Sequence, residues 1–176
     1  MAKIAVILAS DYEDNEYSKP AEAFMLAGHT LTHIGIMGGE TVHGKNNTSS
    51  VNIEKSFLDV KPEQFDALFI PGGYSPDKLR IDKSAVSFVE KFFNSNRPVF
   101  AICHGPQILI TANVLKGRTL TGWKSIEQDI KNAGAKFVDM EVVKDGKLIT
   151  SRNPHDIPSF VDACLRMLDE TASVRY

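Results

Sequence analysis

Residues 101–107 read Ala-Ile-Cys-His-Gly-Pro-Gln. The cysteine closes an apolar run, is followed at once by a histidine, and precedes Gly105 and Pro106. A small residue two places after a nucleophile, with proline opening a helix, is the pattern of a sharp strand-to-helix turn that pushes one side chain into the open. The chemistry on offer there is attack by sulfur. A thiol at a helix N-terminus faces the positive end of the dipole, so thiolate is favoured and a lowered pKa is expected for Cys103. His104 is placed to act as base or as counter-ion, and its N–H to donate to an oxyanion. The competing reading of Cys103 is an inert core residue, since free cysteine is among the most buried residue types. Cys164, on the apolar face of the last helix with Val161 and Leu165, is read in that way.

Two other segments carry reactive groups. Gly72 and Gly73 follow the short apolar run 67–70. Glycine lets backbone approach a ligand closely, so the Gly73 N–H is a candidate second oxyanion donor; the alternative is a plain tight turn. The stretch "DYEDNE" packs Asp11, Glu13, Asp14 and Glu16 into six residues. Most of these are expected to form a solvated loop. A carboxylate forced against the thiol would be protonated or hydrogen-bonded and would tune its reactivity, and spacing alone does not say which one. His29 and His33 straddle a helix end and a strand, and His43 lies in a polar stretch, so no metal site is expected.

These groups need a scaffold. Lys3–Ala9, Leu31–Met37, Ala67–Ile70 and Pro98–Ile102 read as strands, the first too continuously apolar to be half-exposed. Helices are expected over Pro20–Ala27, closed by Gly28, over Asp82–Phe93 with Asp82 as cap, over Pro106–Ala112, Ser125–Ala133 and Ile157–Leu168. Gly117–Gly122 reads as a further strand. Gly38–Asn52 reads as a polar excursion carrying a hairpin, and "EVVKDGKLIT" as a hairpin about Asp145-Gly146. Strands alternating with helices imply an α/β fold with a mainly parallel sheet, and sites in such sheets lie beyond the carboxyl ends of the strands. "SDYEDNE", "PGGYSPD" and "CHG" all fall there.

A chain of 176 residues suits one domain over residues 1–176, and 43% hydrophobic with 24% charged residues is an ordinary globular composition. A net charge of −2 gives no pull towards nucleic acid or anionic lipid. Two distant cysteines without metal spacing point to a reducing compartment, and no apolar run reaches the roughly 20 residues of a membrane span. The expected location is the cytoplasm.

In chain order, "DYEDNEYSKP", "DALFIPGGYSPDKLR", "PVFAICHGPQILI", "LKGRTLTGW", "DIKNAGA" and "ITSRNPHD" resemble the PfpI-type family, within the superfamily of the Parkinson-disease-linked deglycase. The resemblance covers almost the whole chain. It implies a flavodoxin-like three-layer sandwich with a mainly parallel sheet and a nucleophile elbow at Cys103. It further implies that Glu16 is the carboxyl beside the sulfur, and that Gly73 and His104 supply the oxyanion donors. Asp77 falls where some members have a glutamate that orients the histidine of a neighbouring subunit; here it is one methylene shorter. Trp123 stands where relatives often have Tyr or His, in the substrate pocket.

What the resemblance implies for function is a cofactor-independent enzyme acting through a cysteine on small α-oxoaldehydes, in the manner of a glyoxalase or deglycase. A peptidase or amidase using the same thiol, and a stress protein whose cysteine senses oxidation or which acts as a chaperone, are the alternatives. Partners are a small aldehyde or a peptide, together with copies of the same chain in a dimer or hexamer.

Overall fold

The computed structural model describes residues 1–173. A seven-stranded sheet forms its middle layer, in the order β10-β11-β7-β6-β1-β2-β5, where the strands are β1 (Lys3–Ile7), β2 (Thr30–Gly35), β5 (Lys55–Ser56), β6 (Ala67–Ile70), β7 (Val99–Ile102), β10 (Val143–Asp145) and β11 (Leu148–Ser151). Every pairing in it is parallel except the edge hairpin β10–β11. Two small ribbons stand outside it. One is the antiparallel hairpin of β3 (Thr41–His43) and β4 (Ser50–Asn52), the other a parallel pair of β8 (Thr119–Leu120) and β9 (Lys136–Phe137).

Both faces of the sheet are covered, which is why its strands are apolar without alternation. In β1, Ala5 and Ile7 point to one face with Leu68, Ile70, Val99 and Ala101, under α3 (Lys83–Asn94) and α4 (Pro106–Thr111). Ile4, Val6 and Leu8 point to the other face with Phe69, Phe100 and Ile102, under α1 (Asp14–Leu26) and α6 (Ile157–Ser173). Two shorter helices, α2 (Ser75–Leu79) and α5 (Glu127–Asn132), complete the chain. The three-layer α/β sandwich expected from the sequence is the fold observed.

Several boundaries differ from expectation. α1 begins six residues before Pro20, which lies inside the helix rather than at its start. Proline there removes one helical hydrogen bond, and burial of Pro20, Ala21 and Phe24 against the sheet offsets the loss. Gly28 closes the helix as expected, with φ +84° and its N–H bonded to the Met25 carbonyl. The strand expected over 117–122 shrinks to two residues, and the helix over 125–133 starts with a 3-10 turn at Lys124–Ile126. Asp82 caps α3, accepting from the Ala85 N–H at 2.8 Å. No helix among the described residues is long and apolar enough to cross a membrane.

Candidate active site

β1 continues to a neighbour on one side and β6 to a neighbour on the other, so the order of connections reverses between them and leaves a crevice at their carboxyl ends. Three segments close over it. Backbone hydrogen bonds stitch the first two together: Glu13 N–H to the Gly72 carbonyl at 3.1 Å and Tyr74 N–H to the Asp11 carbonyl at 2.8 Å. The third is the turn after β7. Cys103 has φ +61°, a left-handed conformation costing a non-glycine residue about 1–2 kcal/mol. The surroundings hold it there. Its N–H donates to the Ser151 carbonyl at 2.9 Å, and its carbonyl accepts from the Trp123 N–H at 2.8 Å. Gly105 is glycine for want of room, since a Cβ there would sit 2.7 Å from the Ile70 carbonyl oxygen.

The Cys103 residue is 8% exposed, so the thiol is neither open to solvent nor sealed. Burial, then the charge of Glu16 and contact with it, push the thiol up; the N–H groups of His104 and Gly73, both turned toward the sulfur, oppose that rise. The lowered value expected from a helix N-terminus is therefore overturned. α4 has only six residues and a weak dipole, whereas a buried carboxyl lies against the sulfur.

Glu16 is fully buried and pushed up to about 8 by burial foremost, with the Cys103 thiol and the Gly72 N–H opposing. Thiol and N–H lie near the carboxyl, yet neither oxygen has an aligned hydrogen bond. A proton on Glu16 competes directly with one on Cys103, so the two titrate as a pair. Gly72 makes the closeness possible: a Cβ there would meet Glu16 Oε2 at 2.3 Å and Cys103 Cβ at 2.8 Å.

The acidic stretch is not a solvated loop. Glu13, Asp14 and Glu16 are all buried, because α1 starts within it and turns its first residues inward. Asp14 shows why that is tolerated. Burial would raise its carboxyl, but the Asn46 N–H, the Ser49 hydroxyl and the Thr48 N–H bring it down to about 2. Asp11 is partly exposed and paired with Lys78.

His104 lies beside the sulfur, with Nδ1 3.4 Å from Cys103 Sγ and Nε2 3.3 Å from Ser125 Oγ. Burial, followed by the Lys45 charge, lowers its pKa, so at neutral pH the ring is a neutral acceptor rather than a counter-ion. Trp123, 40% exposed, tilts over it with ring centroids 6.4 Å apart. Asp77 is exposed on α2 and makes no hydrogen bond to the histidine of its own chain. Cys164 is fully buried in the apolar core under α6. His33 is engaged in structure, bonded to Glu54 at 3.0 Å and to the Tyr17 hydroxyl at 2.9 Å.

Thus Cys103, His104, Glu16 and Gly73 come together, Trp123 joins at the rim, and Asp77 lies near enough for its charge to act on His104 without bonding to it. Sequence reasoning missed two neighbours, Ser125 and Lys45. The Lys45 ammonium is 2.5 Å from Glu13 Oε2. The signal available was "GKNN", a lone cation in an otherwise uncharged turn, but only the folded hairpin brings it to Glu13.

Comparison with known proteins gives the family. The DJ-1/PfpI family model matches residues 2–167. Protein/nucleic acid deglycase 2 of Escherichia coli is 52% identical over 167 residues, covering 94% of this chain and 97% of the relative. General stress protein 18 of Bacillus subtilis is 52% identical over 169 residues, covering 96% and 98%. Among solved structures, a two-domain protein of Anabaena variabilis with DJ-1/ThiJ/PfpI-like and ferritin-like domains superposes with a TM-score of 0.94 at 36% identity. The match covers 96% of this chain and 48% of that one, so the chain spans about half of the two-domain protein. With a family match from residue 2 to residue 167 and relatives aligned nearly end to end, the chain belongs to the DJ-1/PfpI family.

Proposed function

We propose that this protein is a cofactor-independent enzyme that uses Cys103 to convert small α-oxoaldehydes such as methylglyoxal into 2-hydroxy acids, as part of protection against stress. The observation that carries the reading is the contact between a strained-turn thiol and a buried, unsatisfied carboxyl, with two backbone N–H groups turned toward the same sulfur. The names of two relatives, a deglycase and a general stress protein, support it.

The chemistry follows from those groups. The Cys103 proton passes to neutral His104, whose Nδ1 lies 3.4 Å from Sγ, as sulfur adds to the aldehyde carbon. The carbonyl oxygen becomes an oxyanion, accepts from the Gly73 and His104 N–H groups, and takes up a proton to give a hemithioacetal. His104, neutral again once its proton has gone to the oxyanion, then removes the hydrogen from the former aldehyde carbon, and a proton returns to the adjacent ketone-derived carbon, leaving a 2-hydroxy thioester. Water attacks the thioester, the C–S bond breaks, and thiol and 2-hydroxy acid are released. The overall change is addition of one water, with oxidation at one carbon balanced by reduction at the next. Trp123 shapes the mouth through which the substrate enters.

Self-association belongs to the same reading. Asp77 points outward from α2, where it can serve the histidine of a neighbouring copy in place of its own.

The test is lactate formed from methylglyoxal in buffer free of amines and thiols, wild type beside Cys103→Ser. Many turnovers per subunit, lost in the variant, are expected. No more than one equivalent of lactate per subunit would overturn the reading and return attention to peptide amides or to oxidation of Cys103.

A further inference from the structure

The turn that follows β8 is pinned to the elbow it faces. The Trp123 N–H donates to the Cys103 carbonyl at 2.8 Å, and the Thr121 N–H to the Thr150 hydroxyl at 2.9 Å. A Cβ at Gly122 would sit 3.0 Å from that same Cys103 carbonyl oxygen, so the backbone runs against the nucleophile's own residue. Ile126 anchors the far end of the turn, 3% exposed in the core and with its N–H on the Trp123 carbonyl at 3.0 Å. Between these fixed points Ser125 sets its hydroxyl oxygen 3.3 Å from His104 Nε2, while Nδ1 of the same ring lies 3.4 Å from Cys103 Sγ. Sulfur, imidazole and hydroxyl form one chain through both ring nitrogens.

A neutral imidazole carries a single N–H, and the partner of one nitrogen decides what the other can do. His104 is neutral near pH 7, and the Cys103 thiol, pushed up by burial, keeps its proton there. An S–H facing Nδ1 needs a lone pair on that nitrogen, which puts the ring proton on Nε2. That N–H then needs an acceptor, and the Ser125 oxygen is in place to be one. The opposite tautomer would set Nδ1–H against the sulfur and leave the thiol without a base. Asp77 acts on the ring through its charge, without a bond inside its own chain, and the Lys45 charge opposes it.

We propose that Ser125 is a positioning residue of the thiol site: its hydroxyl accepts from His104 Nε2–H and so fixes the tautomer whose Nδ1 takes the Cys103 proton. As the S–H bond breaks, an N–H bond forms at Nδ1, and the imidazolium keeps its Nε2–H on the Ser125 oxygen. The hydroxyl orients the ring without adding a charge, unlike the carboxylate that holds the histidine of a Ser-His-Asp triad. The proposal rests on the part of the reading above in which His104 is the base for Cys103, and it is independent of which substrate the sulfur attacks.

Nitrogen NMR of the intact, histidine-labelled protein near neutral pH reads the tautomer directly, with His104 assigned by its absence in His104→Gln. Wild type and Ser125→Thr, which keeps the hydroxyl, are expected to carry the ring proton on Nε2. Ser125→Ala, at an exposed position where truncation leaves the core untouched, is expected to mix the two tautomers. Alkylation by iodoacetamide at the same pH reads the base, because Cys164 is fully buried and the rate reports Cys103. Ser125→Ala should slow it about fivefold, the worth of one hydrogen bond, and Ser125→Thr should stay near wild type. A ring proton on Nδ1 in wild type would overturn the proposal. So would a tautomer unchanged in Ser125→Ala, and its loss in Asp77→Asn instead would give the acceptor's role to the acid. Equal slowing in Ser125→Ala and Ser125→Thr is the mark of a merely disturbed turn and counts against the proposal as well. A mixed tautomer and slower alkylation in a protein that makes no lactate support this proposal and count only against the oxoaldehyde reading.

Discussion

Cys103 and Cys164 sit on the same side of the sheet, in the same apolar cluster, and burial pushes both thiols up. Around Cys164 desolvation acts alone, and the sulfur packs as a small hydrophobic group. Around Cys103 the same desolvation is accompanied by a histidine nitrogen 3.4 Å away to take the proton, two N–H groups to receive negative charge, and a buried carboxyl against the sulfur. Burial thus does not distinguish a reactive thiol from an inert one. What distinguishes them is where the proton can go and what then faces the anion.

The sharpest way to break that comparison is to remove the space between thiol and carboxyl. Gly72→Ala places a methyl 2.3 Å from Glu16 Oε2 and 2.8 Å from Cys103 Cβ, so one of them must move. Activity on methylglyoxal is expected to fall by about 100-fold or more, since a displacement near 1 Å costs that much in a positioned reaction. Cys164→Ala should leave the rate per folded subunit within about twofold and cost only ~1–2 kcal/mol of stability in a denaturant melt. A dead Cys164→Ala enzyme, or an unaffected Gly72→Ala one, would mean the two thiols have been assigned the wrong way round.

The carboxyl itself carries an expected cost to the fold. Glu16 ionises near the ordinary 4.5 of a free glutamate when unfolded and near 8 when folded, so the folded state holds a proton through that interval that the unfolded state has lost. Stability from this group is whole below pH 4.5 and declines as pH rises towards 8. Glu16→Gln cannot ionise. It should match wild type in stability near pH 5, exceed it on the order of 2 kcal/mol near pH 8, and lose most of its turnover at both. Equal melts at the two pH values would show that the carboxyl is not held protonated.

Asp14, two residues earlier, gives the smallest and opposite effect. Hydrogen bonds from the hairpin hold it near 2, so its contribution is present above the ordinary 3.8 of a free aspartate and is lost as pH falls towards 2. Asp14→Asn should cost about 1–2 kcal/mol at neutral pH, with the difference vanishing in acid melts. Two acids in one helical turn would then titrate several units apart because of what each one faces.

The fold was legible because its signals are local. Continuous apolar strands, the Asp82 cap, Gly28 after α1 and Asp145-Gly146 in the last hairpin each act within a few residues. Pro20 misled because its cost is local while the compensation, a buried helix face, is not. The acidic stretch misled for the same reason, since polarity suggests solvent while the carboxyls turn inward to groups 30 or more residues away. Lys45 went unnoticed for that reason too.

The sequence by itself therefore determined the layered α/β architecture, the elbow that carries Cys103 and the strand ends where reactive groups collect. Those follow from periodicity and backbone chemistry, which are written within short windows of the chain. Only the tertiary structure decided that Glu13, Asp14 and Glu16 all turn inward, that burial pushes the Cys103 thiol and the Glu16 carboxyl up and His104 down, and that the hairpin holds Asp14 ionised. Ionisation depends on solvent exclusion and on charges a few ångströms away. Here those charges come from segments 11–16, 45, 72–73 and 103–104, whose meeting is fixed by the sheet order and by no spacing along the chain.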